Sequence, residues 1–319
     1  MIANLYLHKD AFLYNGTDSK EQVVEKLRAF ANDMRAIVYD NNSENVFCVS
    51  YDILKCEVYA GVSFTEAVST YLDGELSCII YTMLANTSEE FSKPMEELEK
   101  MAVYQPSETE VNTIVFFNCQ EREKDTKHYI QFENYEIVYN QSSWISLRRQ
   151  ILGNHPGTPI SFVQNCKKYF CSLAFHENCV ESLKDDYYDY LATSPRKIVY
   201  YLSCLNDCFK IIKESHQFTA PDANSILKDF SGQYGLDESG SIERNPEKKA
   251  LLTFSFSLSE NEGEKKEMLC EPHLKISQPD SNSTADINYN TFHPRIYFHF
   301  GDPSVEKGNI LVGSIGKHV

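Results

Sequence analysis

The chain has no long apolar run. The longest, around residues 78–84 and 114–117, are far too short to cross a bilayer as a helix, which takes about 20 residues. No positively charged start followed by an apolar stretch is visible, so a secretory leader is not expected and the chain is read as cytoplasmic, with no membrane partner. There is no Gly-x-x-x-x-Gly-Lys loop, no Gly-x-Gly-x-x-Gly fingerprint and no Gly-x-Ser-x-Gly elbow, so nucleotide-driven and serine-hydrolase chemistries have no motif to stand on. No internal repeat or low-complexity tract appears, and tryptophan occurs once, as Trp144. Positive charge is also scarce: 30 Lys and Arg stand against 46 Asp and Glu, a formal net charge of −16. A body that acidic repels polyanions at long range, so any nucleic-acid contact has to be local.

What is present is enough for folded cores: 42% hydrophobic residues, 13% aromatic, within 319 residues, a length suited to two or three domains. The ten cysteines are read as reduced, mostly buried thiols, since several lie inside apolar patterns such as Val46-Phe47-Cys48-Val49.

Periodicity gives an α+β fold in three regions. Residues 1–140 read as a mixed α+β domain. A strand at Asn4–Leu7 is followed by a helix capped by Ser19, a Ser63/Glu66 capping-box helix, helices near 75–84 and 92–101, and strands at 111–118, 128–132 and 136–139. Residues 141–234 read as helical; the helix opening at Ser194-Pro195 is apolar all round and is expected to be central and buried. Turn formers from Gly235 to Asn245 suggest a linker, and residues 246–319 are expected to form an antiparallel module of four strands: 250–258, 268–276, 295–300 and 309–315.

That last module carries the candidate chemistry. Alternation puts Arg295, Tyr297 and His299 on one face of a strand and Ile296, Phe298 and Phe300 on the other; His273 and Lys275 share the same spacing, and Lys317-His318 end the last strand. From Arg244 to Val319 nine Lys and Arg face ten Asp and Glu, about −1, leaving about −15 for the rest of the chain. This neutral quarter is where an anion could dock. In an enzymatic reading His273, His299, His318 and Tyr297 transfer protons while Lys275, Arg295 and Lys317 hold phosphate, the arrangement that metal-independent RNA cleavage requires. No cofactor or metal is called for. The alternative is a non-enzymatic adaptor or sensor that uses the same cluster for binding. The partners expected are RNA or another phosphate-bearing ligand, and a protein recruited by the acidic N-terminal body.

The series His273-x-Lys275, Arg295-Ile296-Tyr297-Phe298 and Val312-Gly313-x-Ile315-Gly316-Lys317-His318 resembles an uncharacterised C-terminal module of bacterial proteins often encoded among phage-defence genes; the resemblance covers about the last 70 residues. It implies a defence setting rather than a reaction. The strand pair 295–300 and 309–315 is also similar to RelE-type RNase toxins, compact antiparallel sheets with Arg, Lys, His and Tyr on one face, although those toxins are strongly basic and this segment is neutral.

Three further constellations each have a plainer reading beside the chemical one. Arg149 and His155 resemble the Arg-x(4–6)-His signature of HEPN ribonucleases, or are simply cations and a polar residue at a helix end. Cys166, Cys171, His176 and Cys179 could ligate zinc, but their spacing fits no tight knuckle and buried thiols are commoner. Asp185, Asp186 and Asp189 could hold a divalent cation, but most simply form a solvated helix face.

Overall fold

The computed structural model describes residues 2–38, 45–85, 92–103, 110–115, 135–184, 189–216, 222–261, 263–280, 293–316 and 318. The α+β class expected from periodicity holds. The chain divides into two compact units, Met1–Leu147 and Arg148–Val319.

The first unit contains β1 (Ile2–Leu7), α1 (Lys20–Val38), β2 (Asn45–Val49), α2 (Asp52–Lys55), β3 (Glu57–Tyr59), β4 (Val62–Ser63), α3 (Phe64–Tyr71), α4 (Gly74–Ala85), α5 (Met95–Val103), β5 (Glu110–Val115) and β6 (Tyr135–Val138); the division falls within α6 (Gln141–Asn154). Its main sheet runs β2-β1-β5-β6 with every pairing parallel. Parallel sheets need cover on both faces, and β1 shows it: the consecutive residues Leu5, Tyr6 and Leu7 are all buried. The amphipathic α1 buries Val23, Leu27, Phe30, Ala31 and Met34, the stripe its periodicity dictates. Ser63 caps α3 by accepting the Glu66 N–H at 3.3 Å. The strand expected at 128–132 lies outside the described residues.

The second unit contains α7 (Pro159–Tyr169), β7 (Leu173–Phe175), α8 (Asn178–Ser182), α9 (Tyr190–Thr193), α10 (Pro195–Ser215), α11 (Ala223–Gln233), β8 (Ser241–Ile242), α12 (Pro246–Leu251), β9 (Thr253–Ser257), β10 (Lys265–Leu269), β11 (Pro272–Lys275), β12 (Arg295–His299) and β13 (Ile310–Gly316). As expected, α10 is central, burying Ile198, Val199, Tyr201, Leu202, Leu205, Phe209 and Ile212. Its capping is tertiary. Ser194 makes no side-chain cap; the Asp280 carboxylate, from the far side of β11, accepts the Arg196 and Lys197 N–H groups at 2.9 and 3.2 Å.

Two expectations change here. The helical region and the C-terminal strands share one core, in which Phe162, Leu202, Phe209 and Phe230 pack with Leu274, Ile296, Phe298, Val312 and Ile315. The segment read as a linker supplies β8, and the helical region supplies β7, so both edges of the sheet β7-β13-β12-β11-β8 come from outside residues 246–319. The strands expected at 250–258 and 268–276 are also rearranged. Asn245 and Pro246 start the short α12, and the chain between 265 and 275 breaks at Cys270-Glu271 into β10 and β11. The β9–β10 hairpin is a separate sheet lying across the face of the larger one away from the helices, where Phe254, Phe256, Met268 and Cys270 pack with Tyr297 and Leu311.

The glycines of the C-terminal motif are explained by this layering. Gly313 is the extra residue where the β12–β13 register slips between Tyr297 and Phe298. A Cβ on it would lie 2.3 Å from two carbons of the Phe254 ring. Gly316, at φ +107°, would place a Cβ 2.5 Å from the Ser182 carbonyl and 2.6 Å from the Tyr190 ring.

Candidate functional site

Strand pairing bears out the alternation read from the sequence. His273 sits opposite Tyr297 and Lys275 opposite Arg295, so all four side chains stand on the face of the sheet away from Leu274 and Ile296. That face is not an open polar surface, because the β9–β10 hairpin covers its middle. Tyr297 is wholly buried among Leu252, Phe254 and Leu311. His273 is 4% exposed, with its ring 5.0 Å from that of Tyr297. Its Nδ1 lies 3.1 Å from the Glu271 carbonyl oxygen and its Nε2 3.0 Å from Ser241 Oγ. A carbonyl only accepts, so Nδ1 carries the proton and Nε2 accepts from the serine hydroxyl. Burial, reinforced by Arg295 and Lys275 and opposed by the Glu271 hydrogen bond, brings this imidazole down to about 4. His273 is therefore neutral near pH 7 with both nitrogens engaged.

The strand also separates residues the sequence grouped together. Arg295 and His299 stand four residues apart on β12, about 13 Å along an extended chain. His299 is partly buried; its Nδ1 accepts the Gly301 N–H at 3.1 Å, and burial lowers its pKa against the opposing effect of Asp302. Beside it Lys266 ion-pairs with Asp302 at 2.8 Å, and Lys213 Nζ donates to the Phe300 carbonyl at 3.0 Å.

At the other end stands Arg295. Its Nε and Nη1 are shielded from solvent and have no hydrogen-bond partner among the described residues, although the residue as a whole is part-exposed. His318 lies in its field: burial first, then Arg295 and Lys248, pull that imidazole down to about 4, with Glu243 opposing. The nearby carboxylates have other commitments. Glu243 accepts the Arg244 and Asn245 N–H groups, both at 3.0 Å, and Glu238 lies 3.9 Å from Lys275. A buried charged donor left unsatisfied costs roughly 1–3 kcal/mol or more, and its hydrogen bonds are of the charge-assisted kind. Lys317 lies outside the described residues.

Sequence reasoning missed Ser241, Glu243 and Lys248 as members of this neighbourhood. The signal was there: Asn245-Pro246 is an N-cap followed by proline at the first helical position, which marks α12 and so places Lys248 and Lys249 on a helix.

The other constellations take their plainer readings. Arg149, 9% exposed, reaches Asp207 through Nη1 at 2.6 Å and Nη2 at 3.3 Å, donates from Nε to the Tyr169 carbonyl, and lies over the Phe170 ring. That guanidinium is a packing element, unavailable to RNA. Cys166 and Cys179 are buried thiols whose pKa values are raised by desolvation, Cys171 is exposed, and His176 packs on Phe254 and Phe256. Among the described residues no group of His, Cys, Asp and Glu is arranged to hold a metal ion. Asp185 and Asp186 lie outside the described residues; Asp189 caps α9 at the Leu191 and Ala192 N–H groups.

In the first unit, the carboxyl ends of β1 and β2 are where a parallel sheet offers a crevice for ligands. There His8 Nε2 meets Glu99 at 2.7 Å, Ser50 donates to the Lys93 carbonyl at 2.9 Å, and Asp52 accepts the Met95 N–H at 2.9 Å. These polar groups tie α5 to the strand ends.

No helix among the described residues is long and apolar enough to cross a membrane. No known protein family matches the chain, and no curated protein or solved structure does either.

Proposed function

We propose that the second unit recognises a phosphate-bearing ligand, RNA among the possible carriers, at Arg295 with Lys275, Lys248 and His318, and that it acts by binding rather than by cleavage. The observation that carries this reading is the pair of buried Arg295 nitrogens lacking a partner among the described residues while Glu243, the carboxylate beside His318, is held by backbone amides. Guanidinium donors in a shielded site bind phosphate oxygens with charge-assisted hydrogen bonds.

Cleavage without a metal needs a base and an acid within reach of one scissile bond. His273 is buried with both nitrogens engaged, Tyr297 is inside a core, and His299 is at the opposite end of β12, which leaves, among the described residues, His318 beside Arg295 with the imidazole of His293 near it. A sensor or adaptor role accommodates that arrangement better than a ribonuclease does. Together with the resemblance of the motif to a module encoded among phage-defence genes, it supports a reading as a recognition subunit of a defence assembly.

The test is fluorescence anisotropy of a short 5′-phosphorylated RNA with the purified full chain, alongside a cleavage assay on the same RNA. Saturable binding that Arg295→Gln weakens by about tenfold or more, with the RNA intact, is expected. Cleavage that Arg295→Gln abolishes would make it an enzyme; no binding at all would remove the proposal.

A further inference from the structure

Resting on that reading, we infer that what Arg295 recognises is a terminal phosphate, the phosphomonoester of a mononucleotide or of a chain end, and that the internal backbone of a polynucleotide is not its ligand. Three observations point this way.

The first is the distribution of cations. Proteins that track a polynucleotide backbone lay several free Lys and Arg along a groove. In this unit several basic side chains are taken, and those with no ion pair among the described residues, Lys167 on α7, Arg196 on α10, Lys228 on α11 and Lys265 on β10 among them, stand on separate elements. Arg149 pairs with Asp207, Lys197 with Asp237 at 2.7 Å, Lys249 with Glu271, and Lys266 with Asp302. Arg295 and Lys248, for which no ion pair is found among the described residues, and Lys275, at 3.9 Å from Glu238, form one small group at one end of the sheet. The second is the lack of a stacking platform. Among the described residues, the aromatic rings next to Arg295 on its strand pair, His273 and Tyr297, are 4% and 0% exposed and offer bases no face to lie on, which leaves only the part-exposed imidazole of His318 beside it. The third is charge density. Two shielded guanidinium nitrogens match a group that concentrates nearly two negative charges on three oxygens better than a diester carrying one. The −16 net charge of the chain would further penalise a long polyanion, while a single phosphate contact avoids most of that repulsion.

Calorimetric titration of the full chain with inorganic phosphate, a nucleoside 5′-monophosphate, and one short RNA prepared with either a 5′-phosphate or hydroxyls at both ends tests this. The expected result is that phosphate, the monophosphate and the phosphorylated RNA compete for one site. Removing the terminal phosphate should weaken the RNA by about tenfold or more. Between about 50 and 200 mM salt the log–log slope should stay near −1. Arg295→Gln should remove this binding and Lys266→Gln should leave it unchanged. If Arg295→Gln does not fold, Lys248→Gln and the ring resonances of His318 in the unmodified chain report the same contact, the former weakening binding and the latter shifting on phosphate addition. Binding of the monophosphate with loss on the RNA end would assign the ligand to a small molecule; the reverse would assign it to chain ends. Hydroxyl-ended RNA binding as tightly as its phosphorylated form, with a slope of about −3 or steeper, would overturn the inference and leave the phosphate-recognition reading standing. Failure of every phosphate-bearing probe to bind would overturn both.

Discussion

At the His299 end of β12, Lys266 meets Asp302, Lys213 meets a backbone carbonyl, and the imidazole accepts a backbone N–H. At the Arg295 end, two guanidinium nitrogens have no partner among the described residues, and Glu243 serves backbone amides. One strand thus carries similar side chains at both ends, with opposite degrees of satisfaction. Both ends look alike in sequence, as a cation or imidazole spaced two residues from a tyrosine. Only the completeness of their hydrogen bonding among the described residues separates the two ends.

Gly313 holds the layers common to both ends in place, so its replacement should have the largest effect. Gly313→Val drives side-chain atoms into the Phe254 ring, and the hairpin has to lift off the sheet. A destabilisation of about 3 kcal/mol or more is expected, read by urea denaturation. A smaller loss would mean that the hairpin sits loosely and that Tyr297 and His273 are more accessible than their burial indicates.

Next comes the pH dependence of His273. An unfolded imidazole takes up its proton near 6.5, whereas the folded one refuses it until about 4. The unfolded chain therefore binds more protons in that window. The contribution to stability is full above about pH 6.5 and is lost as pH falls toward 4, by about 3 kcal/mol at most. Denaturation midpoints measured across this range should fall with pH, and the fall should be shallower for His273→Gln. Equal slopes would place the titrating group elsewhere.

The smallest effects test the two ends directly. Arg295→Met removes unsatisfied donors and should leave stability unchanged or raise it by about 1 kcal/mol while binding is lost. Lys266→Gln breaks an exposed ion pair and should shift neither stability nor binding measurably. A large loss of stability for Arg295→Met would make that end structural too, and the contrast between the ends would disappear.

The two units differ in charge as well. Met1–Leu147 holds 11 Lys and Arg against 24 Asp and Glu, and Arg148–Val319 holds 19 against 22.

Much of the fold was legible. Caps at Ser19 and Ser63, proline at the start of α10 and the apolar stripe of α1 are local signals, and each helix forms where its signal lies. Alternation likewise placed His273, Lys275, Arg295 and Tyr297 on one face, because the two-residue period of a strand is a property of the backbone. Where the chain turned between sheets was less legible: 265–275 reads as extended throughout, and only pairing with β9 on one side and β12 on the other splits it at Cys270-Glu271.

By itself, then, the sequence determined which residues share a face, that α10 is central, and that the C-terminal quarter is the least acidic part of the chain. The tertiary structure alone decided which of those face residues are sealed and which are free. Burial and hydrogen-bond completion depend on what another segment lays over a side chain, and periodicity within one strand carries no information about that. The β9–β10 hairpin, held against β13 by the absence of a side chain at Gly313, closed over Tyr297 and His273 and left Arg295 at the margin.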